Sequence, residues 1–160
     1  TTAADADTIE VNSETGKLQI KPAGSSKANG VGRDDMSKYA GFWIKGALSA
    51  TRTAGGMLAV ENTYGSDLII DRVIVSVTTA SSASSAASIG IAADATTSSN
   101  TLMDNFDSGG QGVYDNIDNK GSNGKTKAKW GAGQFVTGSE ASGNITGIVG
   151  TYAIHAIDMN

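Results

Sequence analysis

The segment DLIIDRVIVSVTTA, residues 67–80, is the strongest constraint on what this chain can fold into. From Ile70 onward its side chains alternate. Ile70, Arg72, Ile74, Ser76 and Thr78 fall on one face, and Asp71, Val73, Val75 and Val77 on the other. A period of two marks a half-buried β-strand, and β-branched side chains suit its pleated surface. After Asp71 the valine face is the more apolar, so it is expected to meet a core.

Much of the remaining chain reads the same way. FWIKGAL (42–48) and GMLAVEN (56–62) are expected as earlier strands, with SATRTAGG between them as turn material. SIGIAAD (88–94) is a short strand whose glycine permits close sheet packing or a bulge. GQFVTGSE (133–140) and ITGIVGTYAIHAIDM (145–159) follow as strands separated by ASGN. In the last of them Tyr152, Ile154 and Ala156 share one face and Ala153, His155 and Ile157 the other. Both faces are largely apolar, which predicts a central strand covered on two sides. Residues 80–88 form a low-complexity Ser/Ala connection. Residues 96–129 lack sustained periodicity and read as a long functional or interface loop with short strands of its own. Composition agrees: 21 Gly, one Pro, much Ser, Thr and Ala and few helix formers favour strands and turns, while 39% apolar residues argue against disorder. The expected class is all-β, a β-sandwich with jelly roll as the leading topology.

The N-terminus differs from this pattern. In TIEVNSETGKLQIKP (8–22), Ile9, Val11, Leu18 and Ile20 alternate with polar residues on either side of Ser13-Glu14-Thr15-Gly16, a β-hairpin with its loop. PAGSSKANGVGRDD (22–35) has the composition of a linker. The expected organisation is an arm, residues 1–35, made of a hairpin at 8–21 and the linker, followed by a β-sandwich domain, residues 36–160. A two-stranded ribbon is marginal in water by itself. Ile9, Val11, Leu18 and Ile20 are therefore expected to lean on another chain.

Several function classes are disfavoured. The net charge is -4 with Lys and Arg scattered, so the concentrated basic face of a nucleic-acid groove is missing. No apolar run approaches the roughly 18 residues of a membrane span, and without Cys there is neither a disulfide nor a thiolate metal site. Asp104, Asp107, Asp115 and Asp118 offer hard oxygen ligands of the kind that bind Ca²⁺. Their spacing fails the EF-hand pattern. With Asn116 as first ligand, Lys120 and Lys127 occupy the fifth and twelfth positions, where acids belong. Turn capping by Asp and Asn is the favoured reading, and no metal or cofactor is expected.

His155, the single histidine, reads as a packed or interface residue, since a general base also needs a nucleophile and an orienting group. No G-x-S-x-G elbow occurs, and WGAGQF does not continue as a dinucleotide fingerprint or P-loop. No catalytic residue is assigned, and an enzyme is not expected. Trp43, Trp130, Tyr39, Tyr114 and Tyr152 are candidates for a sugar-stacking platform, with core and strand-end roles favoured. Asn144-Ile145-Thr146 matches the glycosylation sequon, a triplet too common to carry weight.

Three stretches carry a family resemblance. NTYGSDLIIDRVIVSVTTASSASSAASIGIAADATTSSNTLMD, then GVYDNIDNKGSNGKTKAKWGAGQFVTG, then GIVGTYAIHAI, together spanning roughly residues 62–157, resemble a group of small tailed-bacteriophage virion proteins found among head genes. TIEVNSETGKLQIK separately resembles short β-units near the attachment ends of phage head and tail fibres. The resemblance implies a capsid decoration or head-fibre protein on the virion surface: a β-sandwich displayed outward, tethered to the major capsid protein by an N-terminal arm, and commonly a homotrimer. The alternatives are a tail-fibre module that attaches to host-surface glycan and a secreted carbohydrate-binding module.

Overall fold

The computed structural model describes residues 41–49, 56–81 and 84–159, together with the backbone of two short strands nearer the N-terminus. The chain divides into two units, Thr1–Met36 and Ser37–Asn160. In the first, β1 (Thr8–Val11) and β2 (Leu18–Lys21) pair antiparallel, with Ile9 opposite Ile20 and Val11 opposite Leu18. The expected Ser13–Gly16 loop, the 22–35 linker and Tyr39 lie outside the described residues.

The second unit is all-β, and no helix occurs among its described residues. Nor is any helix among them long and apolar enough to cross a membrane. Its strands are β3 (Phe42–Ala47), β4 (Leu58–Glu61), β5 (Leu68–Thr79), β6 (Ala86–Ala92), β7 (Met103–Asp107), β8 (Gly112–Asp115), β9 (Ala128–Trp130), β10 (Phe135–Ser142) and β11 (Val149–Asp158). They form two antiparallel sheets. One runs β3-β11-β5-β8, with β9 also pairing β5; the other runs β10-β6-β7. β4 lies beside β10, tied by Met57 N to Gly138 O at 2.7 Å and Asn62 N to Gln134 O at 2.9 Å.

The two sheets face each other across one apolar core, the architecture of a β-sandwich. Leu68, Ile70, Val73, Val75 and Ile154 from the first sheet pack in the same cluster as Ile89, Met103, Phe106 and Val136 from the second, together with Trp130 and Met57. Alternation along β5 explains its share of this directly, one column being buried and the next more open, whereas in β6 and β10 both columns are buried over Ala87–Gly90 and Val136–Ser139.

β5 departs from simple alternation. Arg72 pairs with His155 and Ile70 with the very next residue of β11, Ala156, so Asp71 is an extra residue in the ladder, a β-bulge. Unbroken alternation puts Ile70 opposite in facing to Val73. The bulge turns both inward, and Asp71, expected on the valine face, leaves the core side to meet His155 on the outside. The valine face itself is buried as expected.

The expectation that β11 is covered on both faces is corrected. Gly150, Ile154 and Ala156 are buried on the core side, whereas Thr151 is exposed and Ala153, His155 and Ile157 are half-buried on the other. An apolar content high enough for two covered faces does not by itself supply a second layer to cover them.

Residues 96–129 contain β7, β8 and the start of β9, held together by polar side chains. Fully buried Asn116 sits where β8 leaves β5 and β9 joins it. Its Oδ1 accepts from Val73 N at 2.7 Å, and its Nδ2 donates to the carbonyls of Lys125 and Thr126 at 3.2 and 3.1 Å. A side chain thus supplies the ladder bonds that no strand supplies there. The Ser/Ala connection closes in a similar way. Buried Ser81, Ser85 and Ser108 bond one another, Ser85 Oγ lying 2.8 Å from Ser108 Oγ and Ser81 Oγ donating to Ser108 O at 2.8 Å.

Candidate functional site

The outer face of the five-stranded sheet can be laid out from register alone. Pairing across β3, β11, β5 and β8 aligns Trp43, His155 and Arg72 in one row; Lys45, Ala153, Ile74 and Asp115 in the next; and Ala47, Thr151, Ser76 and Val113 in the third. The first row carries long side chains, and short ones, Ala153, Ala47, Thr151 and Ser76, occupy the centre of the second row and most of the third. The result is a shallow depression of about 460 Å³ lined by Lys45, Ile74, Ser76, Thr151 and Ala153.

Trp43 stands one register row beyond this depression, two residues before Lys45 on β3, and is 47% exposed. Its ring packs on the imidazole of His155 at a centroid distance of 4.9 Å, tilted 46°. His155 Nδ1 in turn lies 2.5 Å from Asp71 Oδ1 on the bulge. Gly41, with φ +73°, makes room for that imidazole, because a Cβ there would approach Nε2 to 2.6 Å. Thus a bulge on β5 and a glycine before β3 both serve to hold one imidazole under one indole.

Charge on this face is partly paired. Arg72 Nη1 donates to Asp115 Oδ2 at 2.7 Å. Burial by itself would raise the Asp115 pKa, but the N–H groups of Asp118 and Ile117 and the Arg72 guanidinium together hold it below the ordinary carboxylate value. Lys45 has no ion-pair partner among the described residues.

A second, more polar hollow of about 400 Å³ lies on the outer side of the three-stranded sheet, lined by Ser88, Ser99, Asn100, Asp104, Asn105 and Glu140. It is built on another bulge, where Asp104 and Asn105 of β7 oppose the single residue Ser88 of β6. Asn105 adopts φ +59°, which Asn tolerates, and its N–H donates to Ser88 Oγ at 3.1 Å. Asp104 is buried and accepts from Nδ2 of Asn100, Asn105 and Asn123 at 3.1, 3.1 and 2.9 Å. Its carboxylate straps the 119–124 turn onto β7.

The four aspartates weighed as calcium ligands do not converge. Asp104 serves that strap, Asp107 accepts from Gly109 N at 3.0 Å, Asp115 pairs with Arg72 and caps the turn at Ile117 and Asp118, and Asp118 is exposed. Among the described residues no group of three or more His, Cys, Asp or Glu side chains is placed to hold a metal ion. The aromatics separate by role. Trp130 is fully buried, with Nε1 donating to Gln134 O at 2.9 Å, and Tyr114 and Tyr152 pack against the core, where burial raises both phenol pKa values. Trp43 alone of the described members of that set is substantially exposed. Asn144 closes a tight turn, its Oδ1 accepting from Thr146 N at 2.8 Å.

Ile9, Val11, Leu18 and Ile20 occupy facing register positions in the hairpin, and their contacts lie outside the described residues. Sequence reasoning missed the Trp43–His155–Asp71 stack. It depends on a bulge and on pairing between residues 84 positions apart, which no local pattern encodes. In comparisons with known proteins, no family model, no curated protein and no solved structure matches the chain.

Proposed function

We propose that the protein is a non-enzymatic bacteriophage structural protein that decorates or cements the capsid exterior, as a decoration or head-fibre protein anchored by its N-terminal arm. The observation that carries this reading is the strand order. With β4 taken beside β10, the sheets run β3-β11-β5-β8 and β4-β10-β6-β7, and β9 is an addition beside β5. That order supports a jelly roll, an architecture that recurs in viral capsid and lectin domains. The division into a small unit with two four-residue strands and a larger β unit supports a tether and a displayed domain.

The mechanism is mechanical. A four-residue ribbon gains stability when its edges and its apolar residues Ile9, Val11, Leu18 and Ile20 are buried against the major capsid protein or against copies of itself. At roughly 25 cal/mol per Å² of apolar surface, each contact is modest. In a homotrimer three tethered arms would bind together with avidity, so a weak single contact suffices.

The test compares native mass and capsid binding for the full chain and for a chain beginning at Pro22. The expected result is a trimeric full chain that binds undecorated capsids and a shortened chain that does not. Two monomers that both leave capsids bare overturn the reading.

A further inference from the structure

We propose that the outer face of the five-stranded sheet binds an oligosaccharide containing an acidic sugar, with one sugar ring stacked on Trp43 and its carboxylate on Lys45. The inference concerns the β unit alone and stands apart from whether the arm holds a capsid.

A pyranose presents an apolar C–H face and a rim of hydroxyls, so a surface that binds it needs a flat exposed apolar ring beside fixed donors and acceptors. The three rows described above supply both. The indole of Trp43 is half exposed and already immobilised by His155, Asp71 and the space left at Gly41, so little ordering is required when a ring settles on it. The depression beyond it is floored by Ala153 and Ile74 and bordered by the hydroxyl-bearing Ser76 and Thr151. Arg72 commits Nη1 to Asp115, and a guanidinium carries five N–H donors in a fixed fork. Lys45 has no ion-pair partner among the described residues, which makes an acidic group the complementary feature of the ligand.

A second copy of the chain is a poorer occupant. The centres of subunit interfaces are depleted of charge, yet Lys45, Arg72 and Asp115 fall within these rows and Asp71 stands on the bulge beside them. Two copies set face to face on a concave centre would also enclose a void where packing contacts are needed. A chain of sugars, narrow and hydroxylated, fits along the small-residue floor without that loss.

The full-length protein would be applied to a printed array of neutral, uronic-acid-containing and sialylated oligosaccharides, and the strongest ligand then titrated against acrylamide quenching of tryptophan fluorescence. Trp130 is buried and gives a constant background, so the quenchable signal belongs to Trp43. The expected result is binding to acidic members of the array and protection of Trp43 by the bound sugar. Trp43→Ala should weaken binding about tenfold or more, as removal of an aromatic anchor does, while Trp43→Tyr restores part of it. Lys45→Gln should abolish the preference for acidic over neutral sugars with the melting temperature unchanged. Absence of array binding, or equal binding by a folded Trp43→Ala protein, overturns the proposal, and binding confined to neutral sugars overturns the role of Lys45. If Trp43 is already shielded in the free protein, and the native mass is that of an oligomer that Trp43→Ala dissociates, the face belongs to a second copy and the proposal fails.

Discussion

Asn116 shows how much a single polar side chain can replace. It bridges the step at which β5 changes neighbours from β8 to β9, and truncating it leaves the buried Val73 N–H and the carbonyls of Lys125 and Thr126 without their partner. Asn116→Ala should cost about 2–3 kcal/mol of stability, the penalty of orphaning buried backbone groups, measured by urea denaturation. Asp94 acts at the surface. Hydrogen bonds from the Thr96 hydroxyl, the Thr96 N–H and Thr97 lower its pKa to about 2 from 3.8. A carboxylate lowered in the folded state contributes its stability above the unfolded value and loses it as pH falls from about 4 through about 2. Asp94→Ala should therefore lower the melting temperature at neutral pH and flatten its fall across that acid window, which a series of thermal melts would read. Turn capping by Asp107 and Asp115 was legible in the composition, since such residues bond backbone two or three positions on. The burial of Asn116 was not. Nothing within its local sequence says that two strands will part at that place.

Among the elements, strand existence was more legible than strand shape. β5 and β10 fall where alternation puts them, within the usual drift of ends, while β11 starts four residues after the expected Ile145, because 145–148 form a turn closed by Ile148 N to Ile145 O at 3.2 Å; β7 to β9 are short enough to vanish into an irregular stretch. The bulges escaped because a bulge is defined by the partner strand: Asp71 is an extra residue only relative to His155 and Ala156. The sequence did indicate that the glycine of β6 matters for packing. At Gly90 a Cβ would lie 2.5 Å from Thr101 N and 2.7 Å from Ser99 C, because the 98–101 segment crosses directly over the strand. Gly90→Ala should displace that segment and cost about 1–3 kcal/mol, the usual effect of overpacking. Loss of amide-exchange protection should centre on Ile91 N, whose bond to Thr101 Oγ1 at 2.9 Å would be broken.

For the molecule as a whole, fold class was readable, and the pairing of particular strands was not. Gly-rich, Pro-poor composition and period-two patterning lead to a two-sheet β protein on general grounds. The order of strands depends on which distant segments meet, and periodicity is silent about that. The candidate sugar surface inherits the same limit, since its rows exist only after β3, β11, β5 and β8 are brought side by side. The centre of that sheet is filled by β11, which pairs with β3 on one edge and β5 on the other; Thr78 and Val149, bonded across the sheet at 3.1 Å, are 71 positions apart. On a ribosome, β3 and β5 would thus emerge and wait for a partner not yet translated, their edges open and prone to wrong pairing until synthesis reaches β11. Folding of this sheet is tied to the synthesis of β11, and nascent chains stalled before Val149 are the species that chaperones would have to shelter.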